Sequence, residues 1–497
     1  MRRPLTLALL LLSLLVIMAC RQSSAPAATV SAPVADATAA ATTRTLTILY
    51  TNDEHGWMEG MEPGEGAANL AGLWQERAAM DETLVISGGD MWTGPAISTW
   101  FEGESMVEVM NEMGYAAAAI GNHEFDFGLE VLQARAFEAD FPFVSANVRV
   151  KTGAEIPAGL EIDPYTIVER NGVKVGVIGL TTTSTPQTTL PTNVAAFDFI
   201  DYEQALREVV PEVRAAGVDL VIVAGHLCGG ELEALARQVA DLEIALMGGG
   251  HCNELFAKEV AGTILLEGGY HFTSYATASL TVDTASDAVL TATYETVAND
   301  DAAPDDAAVV AVVEDWQQEA EEELAVGIGY LEQPLSRRSE ALEQLVVETW
   351  LEGYPAADVA LTNRGGFRAG LPAGEVTFAD VVGVLPFNNV LVDVELSGQE
   401  LFEVLAHSSA AVGGANLGVG EWILEESGQA IDPEGTYHLL VNDFMYAGGD
   451  GYEMLARFDP DAYNTAVDWR QPVIDWILAQ DSSAAIPLDA AVERLVE

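Results

Sequence analysis

The sequence predicts an α/β chain in which short apolar strands alternate with helices and deliver polar residues at their ends. Three observations lead to this class. Apolar runs at residues 46–50, 83–87, 115–120, 173–180, 218–223 and 244–247 each stop at a turn or polar loop, most of them rich in Gly, Asn, Asp or His. Stretches with helical spacing, such as 106–113 and 202–215, lie between them. Four of the seven histidines (His55, His123, His226 and His251) sit just past the ends of such runs. In α/β layers the loops at one sheet edge form the site, so the pattern points to chemistry gathered there.

The first residues have another purpose. Arg2 and Arg3 precede an apolar run over 5–18, which ends in Ile17-Met18-Ala19-Cys20. A basic end, a short apolar segment and small residues before a cleavage point describe a secretory signal over 1–20. It is too short to favour a spanning helix. Its end resembles a bacterial lipobox, which would make Cys20 the lipidated first residue and the only membrane attachment; a plain signal cut slightly later is the other reading. Residues 21–44 are dominated by Ala, Ser, Thr and Pro and read as a flexible tether. The expected location is therefore exported: a lipoprotein on the outer face of a membrane, or a periplasmic protein.

The strand at 46–50 leads into Thr51-Asn52-Asp53-Glu54-His55-Gly56. Asp53 and His55 can face one side of an extended or turning segment. A carboxylate with an imidazole suits a divalent first-row metal. The strand at 83–87 ends in Gly88-Gly89-Asp90, where two glycines permit a tight turn and expose Asp90, whose two oxygens could bridge two metals. After 115–120 comes Gly121-Asn122-His123-Glu124-Phe125-Asp126-Phe127-Gly128. Asn122 offers a neutral oxygen, His123 a proton or a ligand, and Asp126 a carboxylate to hold the imidazole. Later strands end in Gly225-His226 and in Gly248-Gly249-Gly250-His251-Cys252-Asn253. Each turn taken alone is more often an ordinary solvated turn; their repetition is the signal.

A polar, acidic stretch near 299–304 and a Glu-rich helix over 307–324 read as a connector. The second half places Asn363, Arg364 and Arg368 around a Gly pair, then Leu385-Pro386-Phe387-Asn388-Asn389, then a segment containing Phe444 and Asp450. Phenylalanines beside polar loops can stack a base, and an exposed Asp can accept hydrogen bonds from ribose hydroxyls. Arg337, Arg338, Arg364 and Arg368 are possible phosphate contacts.

The whole chain has 497 residues, 77 acidic and 21 basic, for a formal charge of −56; Lys151, Lys174 and Lys258 are its only lysines. That length favours two domains. The charge repels polynucleotides and anionic lipid, which argues against a nucleic-acid partner. It fits either an acidic soluble surface or life in high salt, where screening shortens to about 3 Å at 1 M. An exported chain permits a Cys228–Cys252 disulfide; two buried thiols is the simpler reading.

With the motifs assembled, the chain resembles the bacterial and animal 5′-nucleotidases, the group that includes periplasmic 5′-nucleotidase/UDP-sugar hydrolase. The resemblance runs from Leu46 into the C-terminal region and rests on TNDEHG, SGGD, GNHEFDFG, GH, GGHCN, NRGGFR, PFNN and FMYAGGDGY. It implies a four-layer α/β/β/α calcineurin-like metallophosphatase domain (45–300), a connecting helix (301–326) and a separate α+β nucleotide-binding domain (327–497). A domain movement about residues 320–329 is also implied. Two divalent ions are implied, with Zn, Mn or Co left open. Asp53, His55, Asp90 and Asn253 would hold one, and Asp90, Asn122, His226 and His251 the other. His123, steadied by Asp126, would stabilise the transition state and assist the leaving group. Phe387 and Phe444 would sandwich the base and Asp450 bind ribose. Asn363, Arg368, Asn389 and one of Arg337 and Arg338 would complete the substrate contacts.

Two departures stand out. Residues 339–345 do not follow the family's usual pattern, which leaves the upstream arginine's alignment open by a residue. Asn253 replaces a Gln or His. The implied activity is release of phosphate from nucleoside 5′-phosphates by two-metal hydroxide attack. Cleavage of 2′,3′-cyclic nucleotides or UDP-sugars at the same site is an alternative, and a non-catalytic nucleotide-binding surface lipoprotein is another.

Overall fold

Two six-stranded sheets lie face to face in the N-terminal half of the computed structural model, which describes residues 42–60, 64–300, 303–407, 410–418, 420–425 and 427–496. The leader, Cys20 and nearly all of the expected tether lie outside the described residues. In the first sheet Thr43–Thr51, Thr83–Ser87, Tyr115–Ala119 and Phe143–Val144 run parallel, and the antiparallel Ser274–Asp283 and Ala288–Ala298 extend the other edge. In the second, Val173–Leu180, Leu220–Gly225, Leu246–Gly248 and Thr263–Gly268 run parallel between antiparallel edges at Tyr165–Arg170 and Leu255–Val260.

The alternation of strand side chains explains the layering. Leu46, Ile48, Tyr50, Leu84 and Ile86 from the first sheet bury against Val175, Val177, Ile222, Ala224 and Leu266 from the second. The opposite face of the first sheet, with Leu49, Val85 and Ala118, packs on helices Ala67–Arg77 and Glu104–Met113. That of the second, with Ile178, Val221 and Val223, packs on Tyr202–Ala215 and Gly229–Gln238. The result is an α/β/β/α stack. Because both sheets have parallel cores, the carboxyl ends of their strands open onto one edge, where the motif turns collect.

The connecting helix forms over Ala307–Leu324, started by Asp306, whose carboxylate accepts from the amides of Ala308 and Val309. Its Val309, Val313 and Trp316 bury into the N-terminal helical layer. Beyond it lies a five-stranded sheet ordered Ala410–Gly413, Val359–Asn363, Thr436–Asn442, Val390–Ser397, Tyr463–Asp468. Helices Glu340–Gly353 and Gln471–Ala479 contribute Leu345, Trp350, Val473 and Ile477 to one core face. Residues from Thr42 onward form one compact unit. Ala96, Leu324 and Val382 make a small apolar seam between the halves, next to the Trp100–Phe378 ring contact at 5.5 Å.

Several boundaries differ from expectation. The first strand starts at Thr43, inside the expected tether. The strand expected at 218–223 runs Leu220–Gly225, because pairing with Val175 begins only at Leu220. The long exposed strand Ala288–Ala298 has no counterpart in the sequence reading; it has little burial to betray it.

Candidate metal centre and active site

Asp53, His55, Asp90, His251 and Asn253 all have positive φ, between 48° and 73°. Such conformations are costly for residues other than glycine and persist where surrounding structure enforces them. Here the enforcing contacts are visible. The amides of Asp53 and His55 donate to the carbonyls of Gly89 and Asp90, tying the first turn to the second. Glu124 ties the second to the third by accepting from the amides of Asp90, Met91 and Gly121 at 2.9, 2.7 and 2.6 Å. Gly121 must be glycine, since a Cβ there would lie 2.1 Å from Asp90 Oδ1.

Asp90 sits at the centre. His55, Asp90 and His123 form one group whose ligand atoms lie within 4.8 Å of one another; Asp90, His226 and His251 form a second. Two histidines have their tautomers fixed by carbonyls: Nδ1–H of His55 donates to Thr93 O and that of His226 to Gly88 O, each at 2.9 Å. Both Nε2 lone pairs then face the carboxylates. His226 Nε2 lies 2.9 Å from Asp90 Oδ2, and His55 Nε2 lies 3.8 Å from Asp53 Oδ1. Asp53 Oδ2 accepts from Asn52 Nδ2 at 2.6 Å and from the amide of His251 at 2.9 Å. Asn122 donates to Thr188 O, which turns its Oδ1 inward.

The donor set fits divalent cations on two observations. Asn122 Oδ1 is buried and has no hydrogen-bond partner among the described residues, a costly state that a cation would relieve. The electrostatics agree. Burial disfavours charge on His226, but Asp90, Asp53 and Glu124 outweigh it and push its imidazole up to about 10. Burial, helped by the neighbouring Asp90 charge, lifts Asp53 above the usual carboxylate range. Carboxylates this crowded need positive charge between them.

His123 stands beside this centre. Its Nδ1 pairs with Asp126 Oδ2 at 2.7 Å, and Asp126 Oδ1 accepts from Thr189. Burial works against a charged His123, yet Asp126 and Asp90 raise its pKa.

All the predicted site residues except Asp53, His226 and Arg364 line one cavity of about 840 Å³; the first two sit directly behind Asp90 and His251, whereas Arg364 points away from it and pairs with Glu343 at 2.8 Å. The C-terminal half supplies the far wall. Phe387 stacks on His123 with ring centroids 5.8 Å apart. Arg368 is half-buried, with Nη2 3.2 Å from His55 Nε2. Arg337 donates to Phe367 O at 2.6 Å; burial, then Arg368 and Arg338, push its guanidinium down to about 10. Among the described residues no carboxylate pairs with Arg337, Arg338 or Arg368, although the chain is so acidic. Asn363 donates to Asp450 at 2.8 Å and accepts from Asn442. Phe444 lines the cavity with Gly449 against its ring, where a Cβ would come within 2.3 Å. Asn389 lines it too, but its amide is committed to Asp443.

Comparison with known proteins follows the same division. Residues 328–457 match the family model described as 5′-nucleotidase, C-terminal domain. The 5′-nucleotidase of Vibrio cholerae serotype O1 is 28% identical over 482 residues, covering 82% of this chain and 86% of its own. The crystal structure of the 5′-nucleotidase precursor from Thermus thermophilus superposes with a TM-score of 0.74 at 25% identity, over 88% of this chain and 97% of that one. The chain is thus similar to 5′-nucleotidases along most of its length, and these are phosphoric monoester hydrolases. The calcineurin-like phosphoesterase YfkN from Bacillus subtilis, 22% identical with a TM-score of 0.51, shares the fold over 56% of this chain and 98% of its own.

The chain also holds features that the sequence reading missed. Cys228 and Cys252 are joined in a disulfide, not free thiols. They follow the ends of strands Leu220–Gly225 and Leu246–Gly248, which pair side by side and bring the Cα atoms to 5.1 Å. Glu124 lay in plain view inside GNHEFDFG, yet its bridging role needs the folded turns. Glu54 is a second buried carboxyl, held by Thr51 and Ser87 and pushed by burial up to about 8. Trp57 and His271 line the cavity, and His271 lies outside every recognisable motif. Among the described residues no helix is long and apolar enough to cross a membrane.

Proposed function

We propose that this protein is an exported, metal-dependent 5′-nucleotidase that hydrolyses nucleoside 5′-phosphates to nucleoside and phosphate. The observation that carries the reading is Asp90 shared between two ligand groups, beside the Phe387 ring and three arginines that have no carboxylate partner among the described residues. Asp53, His55, Asp90 and Asn253 would hold one divalent cation, and Asp90, Asn122, His226 and His251 the other. Bound there, the cations would polarise the phosphoryl group and lower the pKa of an attacking water.

The protein's own groups do the rest. Arg337 and Arg368 bind phosphoryl oxygens, and Arg338 at the cavity rim supplements their field. Phe387 and Phe444 hold the base between them, with Asn389 fixing the loop behind Phe387 through Asp443. Asp450, oriented by Asn363, accepts from the ribose hydroxyls. Asp126 holds His123 with Nε2 facing the site. The raised pKa keeps a proton there for the departing 5′-oxygen. A lipid anchor at Cys20 with a tether over 21–44 would carry the domains 45–300 and 327–497 outside the cell.

Phosphate release from AMP with Mn²⁺, Co²⁺ or Zn²⁺, abolished by EDTA, tests the proposal. In the His123→Ala variant metal content should persist while kcat falls by about 10²–10⁴. Loss of metal in that variant would reassign His123 to the ligand set, which its closeness to His55 and Asp90 makes a real alternative.

A further inference from the structure

We propose that Thr189 is a positioning residue for the leaving-group step: through Asp126 it fixes the orientation of the His123 ring, and the loop that carries it ties this alignment to the Asp450 turn. This role depends on the reading above, in which His123 gives a proton to the departing 5′-oxygen. Thr189 belongs to the threonine-rich stretch 181–190, which none of the family motifs contains.

The carboxylate of Asp126 divides its oxygens between two partners. Oδ2 lies 2.7 Å from His123 Nδ1, and Oδ1 accepts from Thr189 Oγ1 at 2.8 Å. The terminal torsion of an aspartate has a broad minimum, so the imidazole alone does not set the carboxylate plane. A second donor on the other oxygen does, and a carboxylate held in plane holds the ring in turn. Thr189 suits the task. Branching at Cβ restricts its rotamer, and it is 2% exposed, against 4% for the Asp126 side chain. Little solvent reaches the pair to stand in for the hydroxyl.

Other residues fix the backbone around the pair, which leaves Thr189 the carboxylate. Asn193 Nδ2 donates to Phe125 O and Asp126 O at 2.8 and 3.0 Å. Thr181 Oγ1 donates to Ile120 O at 2.6 Å and pins the start of the loop to the strand end before Asn122. Thr188 O accepts from Asn122 Nδ2 at 3.1 Å. That bond uses the main chain of the loop, so a change of the Thr189 side chain leaves it in place. Removing the Thr189 hydroxyl therefore disturbs His123 and spares the candidate metal ligands.

The same loop reaches the nucleoside wall. Thr185–Thr188 forms a short helix that packs on Gly449–Gly451, the turn that presents Asp450. Thr188, Thr189 and Leu190 line the cavity together with Asp126, Asp450 and Phe444. Ribose held at Asp450 and the ring held through Thr189 thus share one structural element. In the step itself the oxygen of water bonds to phosphorus and the bond from phosphorus to the 5′-oxygen breaks. The electron pair stays on the 5′-oxygen, which takes the Nε2 proton of His123, and a proton from the attacking water restores the imidazolium. A misaligned ring penalises only esters whose leaving oxygen needs that proton.

The test uses the metal-loaded full chain and two esters: AMP, whose alkoxide leaves poorly without a proton, and 4-nitrophenyl phosphate, whose phenolate leaves without one. Thr189→Val should lower kcat for AMP by about tenfold, the scale of a lost hydrogen bond to a charged group. KM for AMP, kcat for 4-nitrophenyl phosphate and metal content should stay as in the parent chain, and Thr189→Ser should restore the AMP rate. Asp450→Ala should lower kcat for AMP in the parent chain and add no further loss to Thr189→Val. No change in Thr189→Val, equal slowing of both esters, or loss of metal overturns the positioning role. Independent losses in the double variant overturn the link to the Asp450 turn. Should AMP be refused while glycerol phosphate is hydrolysed and slowed by Thr189→Val, the nucleotidase reading falls and the Thr189 role stands. Should neither alkyl ester be hydrolysed, both fall.

Discussion

On the N-terminal wall of the cavity Asp53, His55, Asp90, His251 and Asn253 take left-handed backbone conformations, whereas among the predicted residues of the C-terminal wall only Asp450 does. The N-terminal groups are aimed by backbone: turns at parallel strand ends, locked to one another through amides, carbonyls and Glu124. The C-terminal groups lean on other side chains, Asn363 on Asp450 and Asn442, Asn389 on Asp443. The difference separates two tasks. A metal centre needs ligand atoms fixed to a few tenths of an ångström, which strained but over-determined turns provide. A nucleotide wall needs directional groups that can settle around a ligand, which paired amides and arginines with no carboxylate partner among the described residues provide.

Substitution at the centre of the backbone-aimed wall should do the most damage. Asp90→Asn removes the one carboxylate common to both ligand groups while leaving the turn in place. The expected outcome is a fall in kcat/KM of about 10³ or more, roughly 4 kcal/mol, with metal content reduced at both positions. Loss of one metal only, measured by atomic absorption on the dialysed variant, would show that Asp90 is not shared.

The disulfide is the next lever on the same wall, because it clamps the two loops that carry His226 and His251. Closing a loop of 24 residues restricts the unfolded chain by about 3 kcal/mol in the chain-entropy model. Replacing both cysteines by serine should lower stability by about that amount and weaken metal retention against a chelator, with little change in KM once metal is saturating. Unchanged chelator resistance would mean that the backbone alone holds the histidines.

Coupling on the opposite wall should be smaller and of another kind. Asn363→Ala and Asp450→Ala each strip the other of its partner, so the double variant should cost less than the two singles combined. The interaction energy should be about 1 kcal/mol, read as KM for AMP in a double-mutant cycle. Strict additivity would put these residues on the same footing as the backbone-aimed turns.

Much of the backbone-aimed wall was legible in the sequence, because strand ends advertise themselves: an apolar run, then Gly with Asn, Asp or His. The helix over 307–324 was legible from its periodicity and composition. What could not be read was everything that depends on neighbouring strands. The Cys228–Cys252 link requires knowing that the strands before them are adjacent. Glu124 reaches three amides on two separate turns. His271 sits in Gly269-Tyr270-His271-Phe272, where nothing in the residue types announces left-handed turns at a His and a Phe. On the C-terminal wall, Asn389 looked like a ligand contact, and its bond to Asp443 emerges only from the fold. Arg337 and Arg338 are indistinguishable as a pair of letters; the first is half-buried against Phe367 and the second exposed.

The smallest expected effect asks whether a side-chain pair outside the cavity behaves like those within its C-terminal wall. His438 Nδ1 lies 2.9 Å from Asp393 Oδ1, whose other oxygen accepts from Tyr354. The hydrogen bond to Asp393, opposed by burial, raises the His438 pKa. A histidine raised in the folded state contributes stability that is fully present below its unfolded pKa of about 6.5 and is lost as pH climbs through the folded value. His438→Gln should therefore destabilise the protein near pH 5 and hardly at all near pH 9. With the side chain 40% exposed, solvent screening holds the difference to about 0.5 kcal/mol. Denaturant titrations at the two pH values check it. A penalty that is the same at both would mean His438 serves by packing alone, and that side-chain pairing in this half is strong only where the cavity excludes water.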